Sequence, residues 1–324
     1  MKTKIKENTQ KGFKYSLKEK IIKNKFAYAL VAPALIAMII VQLIPMSEGL
    51  YFSLLKLNQF TLKQFLHAPF AGFDNFYTVL FDTTSNMRSG FLDALRNTAI
   101  YSVLCNVFVL AIGLMAAMVV NREFKLRGLA RTLLLTPWVV PSYVVGMLWG
   151  FMWQQDTGII NRILVDWLHI LPSKPFWLTG SNVLFAIIIP TIWRNVPFVM
   201  IMLLAGLQNI SEDYYEAAEL DGANGIQKFS HITLPLLKPI IGIQLLFGMI
   251  NYVYSYNIVS MMFGHGAGYP GKWGDLLMTN IQRNSFQTWN FGVGAAATIV
   301  VMVCVLIVVG IWYRVFKESL VVDE

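Results

Sequence analysis

An all-α integral membrane protein of six transmembrane helices, with both ends on the cytoplasmic side, is the fold class this sequence predicts. Three observations predict it. First, 56% of the 324 residues are hydrophobic and only 14% are charged, with a mean hydropathy of +0.55. Soluble domains carry about 25% charged residues, so this chain has too few to cover a water-facing surface. Second, six apolar runs reach the length of about 20 residues that crosses ~30 Å of hydrocarbon. Third, runs such as AAATIVVMVCVLIVVGIWY do not alternate, which argues against the two-residue period of barrel strands.

The spans fall at 27–50, 98–120, 132–153, 182–207, 238–262 and 291–313, within one domain of 26–319. A basic tail, 1–25, precedes them and a short tail, 320–324, follows. The first run has the basic flank of a signal peptide. Its apolar stretch is too long and no clear cleavage site follows it, so a retained helix is expected. Apart from Lys238, the first residue of the fifth span, only Glu48, at the rim of the first, and Arg194, inside the fourth, are charged within these ranges.

Seventeen of the 26 lysines and arginines lie on the inner side if the N-terminus is cytoplasmic, and eight on the outer. That bias sets the orientation, although it rests on the nine lysines before residue 26. The segments 55–95, 154–181 and 263–290 then face outward, and 208–237 is cytoplasmic.

The net charge of +8 has no basic stripe interleaved with aromatics, which argues against nucleic acid. The lysine-rich tail suits anionic headgroups instead. Cys105 and Cys304 sit in apolar runs and read as small packing residues. The four histidines form no ligand pattern, so no metal is expected, and no constellation of catalytic groups appears.

The loop EAAELDGANGIQKFSHITLPLLKP interrupts this apolar chain. Ser211 is a good N-cap, with Glu212 and Asp213 in the first turn, so a helix is expected over 212–220. Gly222 ends it. A second short helix is expected over 224–232, and Pro235 and Pro239 punctuate the entry to span five. This helix–glycine–helix elbow suits either a membrane surface or a protein groove.

Glu216-Ala217-Ala218, then Gly222 four positions on, then Ile232-x-Leu234-Pro235, resembles the EAA loop of ABC importer permeases. AGLQNISEDYYEAAELDGA, APFAGFDNFYTVL, TPWVVPSYVVG and TIWRNVPF are similar to the carbohydrate, maltose-type branch. The likeness runs from about residue 26 onward. It departs at GHGAGYP, where many relatives carry Gly-Gly-Pro.

The resemblance implies the ABC importer permease fold and a subunit that hydrolyses nothing, consistent with the lack of a GxxxxGK[ST] motif. ATP and magnesium would be held by two partner ATPase subunits. A second homologous permease would complete the pathway, and an extracytoplasmic solute-binding protein would deliver a sugar. The site would be a bacterial-type cell membrane, crossed many times. Glu216, Ala217, Ala218, Asp221, Gly222, Ile232, Leu234 and Pro235 would couple to the ATPases.

Polar groups inside spans face protein or water, which marks the pathway. At 3.6 residues per turn Asn251, Tyr254 and Ser255 share a face, as do Thr191, Arg194 and Asn195 in span four and Trp138 and Ser142 in span three. These positions are similar to those lining the sugar site of maltose-type permeases. Plainer roles are open to each: interface anchor for Trp138, back-bonding for Ser142 and Thr191, packing for the tyrosines. Arg194 needs a partner, either an anionic sugar or a carboxylate of the second subunit. Pro190 and Pro197 are expected to break span four around it. The competing reading, a self-contained secondary transporter, would show inverted repeats and intramembrane acids, and neither is visible beyond Glu48.

Overall fold

The computed structural model describes residues 24–264 and 269–320. Most of the basic tail, His265 with the rest of the GHGAGYP departure to Gly268, and residues 321–324 lie outside the described residues. Among the described residues the regular elements are helices, and the one β pairing is a bridge between Leu55 and Phe70. Two units are present, one ending at Phe52 and the other beginning at Ser53.

The first unit is α1, Lys25–Phe52. Its turn Ile39–Leu43 is a π turn. Pro45 follows, and proline crowds the carbonyl four residues earlier, here Val41, inside that turn. The same pairing recurs below.

The second unit contains α2 (Asp74–Leu80), α3 (Asn86–Asn121), α4 (Arg127–Val139), α5 (Ser142–Met152) and α6 (Val183–Gln208). Beyond them come α7 (Glu212–Leu220), α8 (Gly225–Val253), α9 (Asn257–Met262), α10 (Leu277–Gln282) and α11 (Phe291–Leu320). Among the described residues five helices are long and apolar enough to cross a membrane, or six if the bent pair α4–α5 is one span.

The core forms where α3 lies along α6. Gly113 permits that contact: a Cβ there would sit 3.1 Å from Val199 Cγ1 and 3.3 Å from the Met200 amide. Tyr101, Cys105, Val109, Ala186, Ile187 and Leu203 fill the seam.

Four expectations are corrected. The helix that carries span two reaches back to Asn86, capped by Ser85, and contains the expected 98–120. Span three, expected as one helix over 132–153, bends by 91° between Val139 and Ser142. Pro141 causes this, because it has no N–H to continue the ladder and pushes Val140 to an extended ψ of 126°. Span five, expected over 238–262, instead runs Gly225–Val253, turns through 254–256 and resumes as α9. The expected second elbow helix is therefore not a separate element but the start of α8, and Pro235 and Pro239 do not interrupt it: a π turn, Phe229–Thr233, carries the helix through. That turn holds His231, the residue four before Pro235, so the wider turn again moves the crowded carbonyl aside. Span four, finally, is unbroken at Pro190 and Pro197.

The segments expected to face outward are pinned by buried polar groups. Asn75 donates to the Ser53 and Leu55 carbonyls, both at 2.8 Å. The buried Asp275 carboxylate pairs with Arg283 at 2.6 Å and also accepts from Thr279 and Asn280. Asn97 and Thr98 on α3 hold the same segment through the Lys272 carbonyl and the Leu277 amide.

Candidate functional site

Two features converge on α6 and α8: an elbow that joins them and a polar cavity between them. At the elbow, α6 ends at Gln208 and Ser211 caps α7, its Oγ accepting from the Asp213 amide at 3.3 Å. Gly222 reverses the chain at φ +78°, a conformation glycine adopts without strain. The Gly222 and Ala223 amides donate back to the Glu219 and Ala218 carbonyls, closing the helix end. Asn224 and Gln227 then form a reciprocal capping box that starts α8, with bonds of 2.7 and 3.0 Å.

Two side-chain links brace the elbow. Lys228 Nζ donates to Glu219 Oε1 at 2.5 Å, and Tyr215 meets Thr233 at 2.9 Å. The Lys228 ammonium and its hydrogen bond hold the Glu219 carboxyl below the usual carboxylate range.

Of the coupling residues expected from the sequence, Ala218, Asp221, Gly222 and Ile232 line a cleft of about 340 Å³ in the angle of the elbow. Glu216 and Ala217 lie on the exposed face of α7, and Leu234 and Pro235 are exposed just past the π turn. Leu220 and Ile226 are 91% and 80% exposed, giving the elbow two bare apolar tips.

The cavity has a volume of about 420 Å³. All eight residues expected along the pathway line it: Trp138, Ser142, Thr191, Arg194, Asn195, Asn251, Tyr254 and Ser255. The geometry that brings them together differs from the expected helical faces. Trp138 and Ser142 flank the α4–α5 bend, and Tyr254 and Ser255 lie in the turn after α8, so two chain breaks meet at the cavity wall. Behind the wall, α9 packs on α5 where Gly146 leaves room. A Cβ there would lie 2.5 Å from the Ile258 carbonyl.

Arg194, half-buried, donates from Nε to the Val140 carbonyl at 3.2 Å. Its partner in this chain is thus a backbone group freed by the bend, not a carboxylate. Trp138 stacks on Phe198 at 5.7 Å, fastening α4 to α6 one turn away.

Sequence reasoning missed Tyr101. Buried in α3, its hydroxyl lies 2.9 Å from Thr191 and 3.0 Å from Ser255. Thr191 spends its proton on the Ile187 carbonyl. Tyr101 therefore donates to Thr191 and accepts from Ser255, a hydroxyl relay that joins three segments. A lone phenol within an apolar span was the available signal. Phe198 was also missed, although it sits one turn from Arg194. A narrower cavity of about 50 Å³ shares Asn195, Phe198, Asn251 and Tyr252, and adds Asn106 and Gln244 toward the elbow.

Chemically, the cavity offers aromatic faces, three amides, hydroxyls and one guanidinium, with no carboxylate in its lining. Rings and amides in such a mixture suit a ligand with C–H faces and many hydroxyls.

Comparison with known proteins follows this geometry. Residues 109–321 match the family described as binding-protein-dependent transport system inner membrane component. The sulfoquinovosyl glycerol transport system permease protein of Agrobacterium fabrum is 32% identical over 90% of this chain and 91% of its own. The trehalose/maltose transport system permease protein of Thermococcus litoralis is 32% identical over 87% and 90%. The sn-glycerol-3-phosphate transport system permease protein of Agrobacterium fabrum is 29% identical over 90% and 94%. Among solved structures, a bacterial ABC transporter involved in the import of the acidic polysaccharide alginate shares the fold, with a TM-score of 0.72 and 23% identity, over 93% of this chain and 98% of that one.

Proposed function

The chain belongs to the binding-protein-dependent transport system inner membrane component family, and from that premise we propose that it forms half of the pathway of an ATP-driven sugar importer. It is a multi-pass, non-catalytic permease subunit. In this reading α4–α5 counts as one span, giving six in all with both termini cytoplasmic, and the elbow at 208–237 faces the cytoplasm.

One observation carries the mechanism: the elbow is continuous with α6 at one end and α8 at the other. Those helices carry Thr191, Arg194, Asn195 and Asn251 into the cavity. A push on the elbow is therefore delivered to both cavity walls. Glu216 on the exposed face would pair with a basic group of an ATPase subunit, and Leu220 and Ile226 would bury their tips there. ATP and magnesium sit in two such ATPases. Their cycle shifts the population of inward- and outward-open states. A second homologous permease completes the pore, and a solute-binding protein delivers the cargo. The cargo class is a sugar or sugar derivative. The cavity chemistry and the sulfoquinovosyl glycerol and trehalose/maltose systems named for the relatives both support it.

The test is to tag the chain in its native membrane, purify it and identify what accompanies it. A second permease, an ATPase and a sugar-binding protein are expected. A chain that purifies alone and drives proton-coupled uptake would contradict the proposal.

A further inference from the structure

The α3–α4 connection carries charge that nothing in the described chain neutralises. Arg122, Lys125, Arg127 and Arg131 fall within ten residues, and none forms an ion pair among the described residues. Glu123, the acid of this stretch, is exposed and pairs with none of them. Arg131 donates to the Val120 carbonyl at 3.0 Å. The Gln208 amide oxygen, turned toward them, accepts from Arg127 and Arg131 at 3.3 and 3.2 Å. Yet the Nε atoms of both arginines are buried without an acceptor. Two guanidiniums a helical turn apart suit an oxyanion that takes several N–H bonds at once.

The apolar neighbours say which anion. Leu126 is held at φ +69°, a strained position for leucine, and is 73% exposed. Leu129 and Leu133 follow on α4 at 53% and 62%, with Phe124 beside them. A free phosphate or an acidic protein segment has no use for an apolar stripe running from the cations along the helix. A phospholipid has both parts, a phosphate for the arginines and acyl chains for the leucines.

We infer that Arg127 and Arg131, with Arg122 and Lys125 at the rim, form a binding site for the phosphate of an anionic phospholipid in the cytoplasmic leaflet. This rests on the elbow lying in the cytoplasm, because Gln208 ties the site to the end of α6, three residues before the α7 cap. Through Gln208 a bound lipid would stiffen the entry to the elbow. The inference is independent of the cargo.

The test compares thermal unfolding of the purified complex in nanodiscs of POPC and of POPC with POPG. POPG should raise the midpoint by several degrees. Arg127→Gln should lose at least half of that rise, whereas Arg127→Lys and the outer-side Lys63→Gln should keep it. Should Arg127→Gln fail to assemble, the exposed pair Arg122→Gln and Lys125→Gln carries the same expectation. No rise with POPG, or an undiminished rise in the neutral variants, would overturn the site. An equal rise from inorganic phosphate in POPC nanodiscs would overturn the lipid as its occupant. Sugar uptake plays no part in this assay, so loss of the cargo assignment would leave its result standing. A probe at Leu126 reached only from outside the cell would instead remove the cytoplasmic placement on which it depends.

Discussion

The indole of Trp153 donates a 3.0 Å hydrogen bond to the Ala186 carbonyl, the one that Pro190 leaves without its helical donor. A proline mid-helix removes one amide and strands the carbonyl four residues back. Here a buried tryptophan from α5's end supplies the missing donor, and α6 continues. Trp153→Phe should therefore destabilise the purified chain by about 1–3 kcal/mol, the cost of stranding a buried acceptor. Adding Pro190→Ala, which restores the helical donor, should recover part of that loss. Purely additive effects in denaturant unfolding would contradict the compensation.

The Tyr101 relay makes a second claim. Tyr101→Phe removes the group that holds Thr191 and Ser255 together across the cavity wall. Uptake KM should rise several-fold, while the amount of ATPase that co-purifies stays unchanged. An unaltered KM would show that the relay does not shape the site.

Asn251 lies at the end of α8 and bonds only to its own helix, donating to the Phe247 carbonyl. Asn251→Leu should change transport rate or selectivity and leave ATPase attachment intact. Loss of the ATPase in that variant would place Asn251 in the coupling path instead.

The Glu219–Lys228 pair ties α7 to α8 across Gly222, and its sign with pH is fixed. The Glu219 carboxyl titrates below its ordinary value because Lys228 stabilises the charged form. The brace is present at neutral pH and is lost as pH falls through that lowered value. Spin labels at Tyr214 and Ile226 should give a broader distance distribution in Glu219→Gln than in the wild type at pH 7. The two should converge in acid. A wild type that never converges on the variant would mean another contact sets the elbow.

The six apolar runs, the elbow helix over 212–220 and eight of the cavity's thirteen lining residues were legible in the sequence. They rest on local signals: run length, a serine cap followed by acids, and polar groups stranded in apolar segments. The breaks were not legible. Pro141 bends its span while Pro190 and Pro197 do not, and the difference lies in partners distant in sequence, such as Trp153 for Ala186. Pro235 looked like a boundary, but the π turn around His231 absorbs it. Tyr254 and Ser255 reach the cavity through a turn, which helical periodicity cannot anticipate. Arg194 demanded a partner on energetic grounds, yet a backbone carbonyl exposed by a remote bend leaves no trace in sequence.

The central claim is that the exposed face of α7 is where motor subunits take hold. Glu216→Lys reverses the charge on that face without touching the cavity or any span. The account predicts normal insertion of the variant into the membrane, loss of ATPase co-purification and loss of uptake together. A variant that transports at the wild-type rate with its ATPase attached would contradict it.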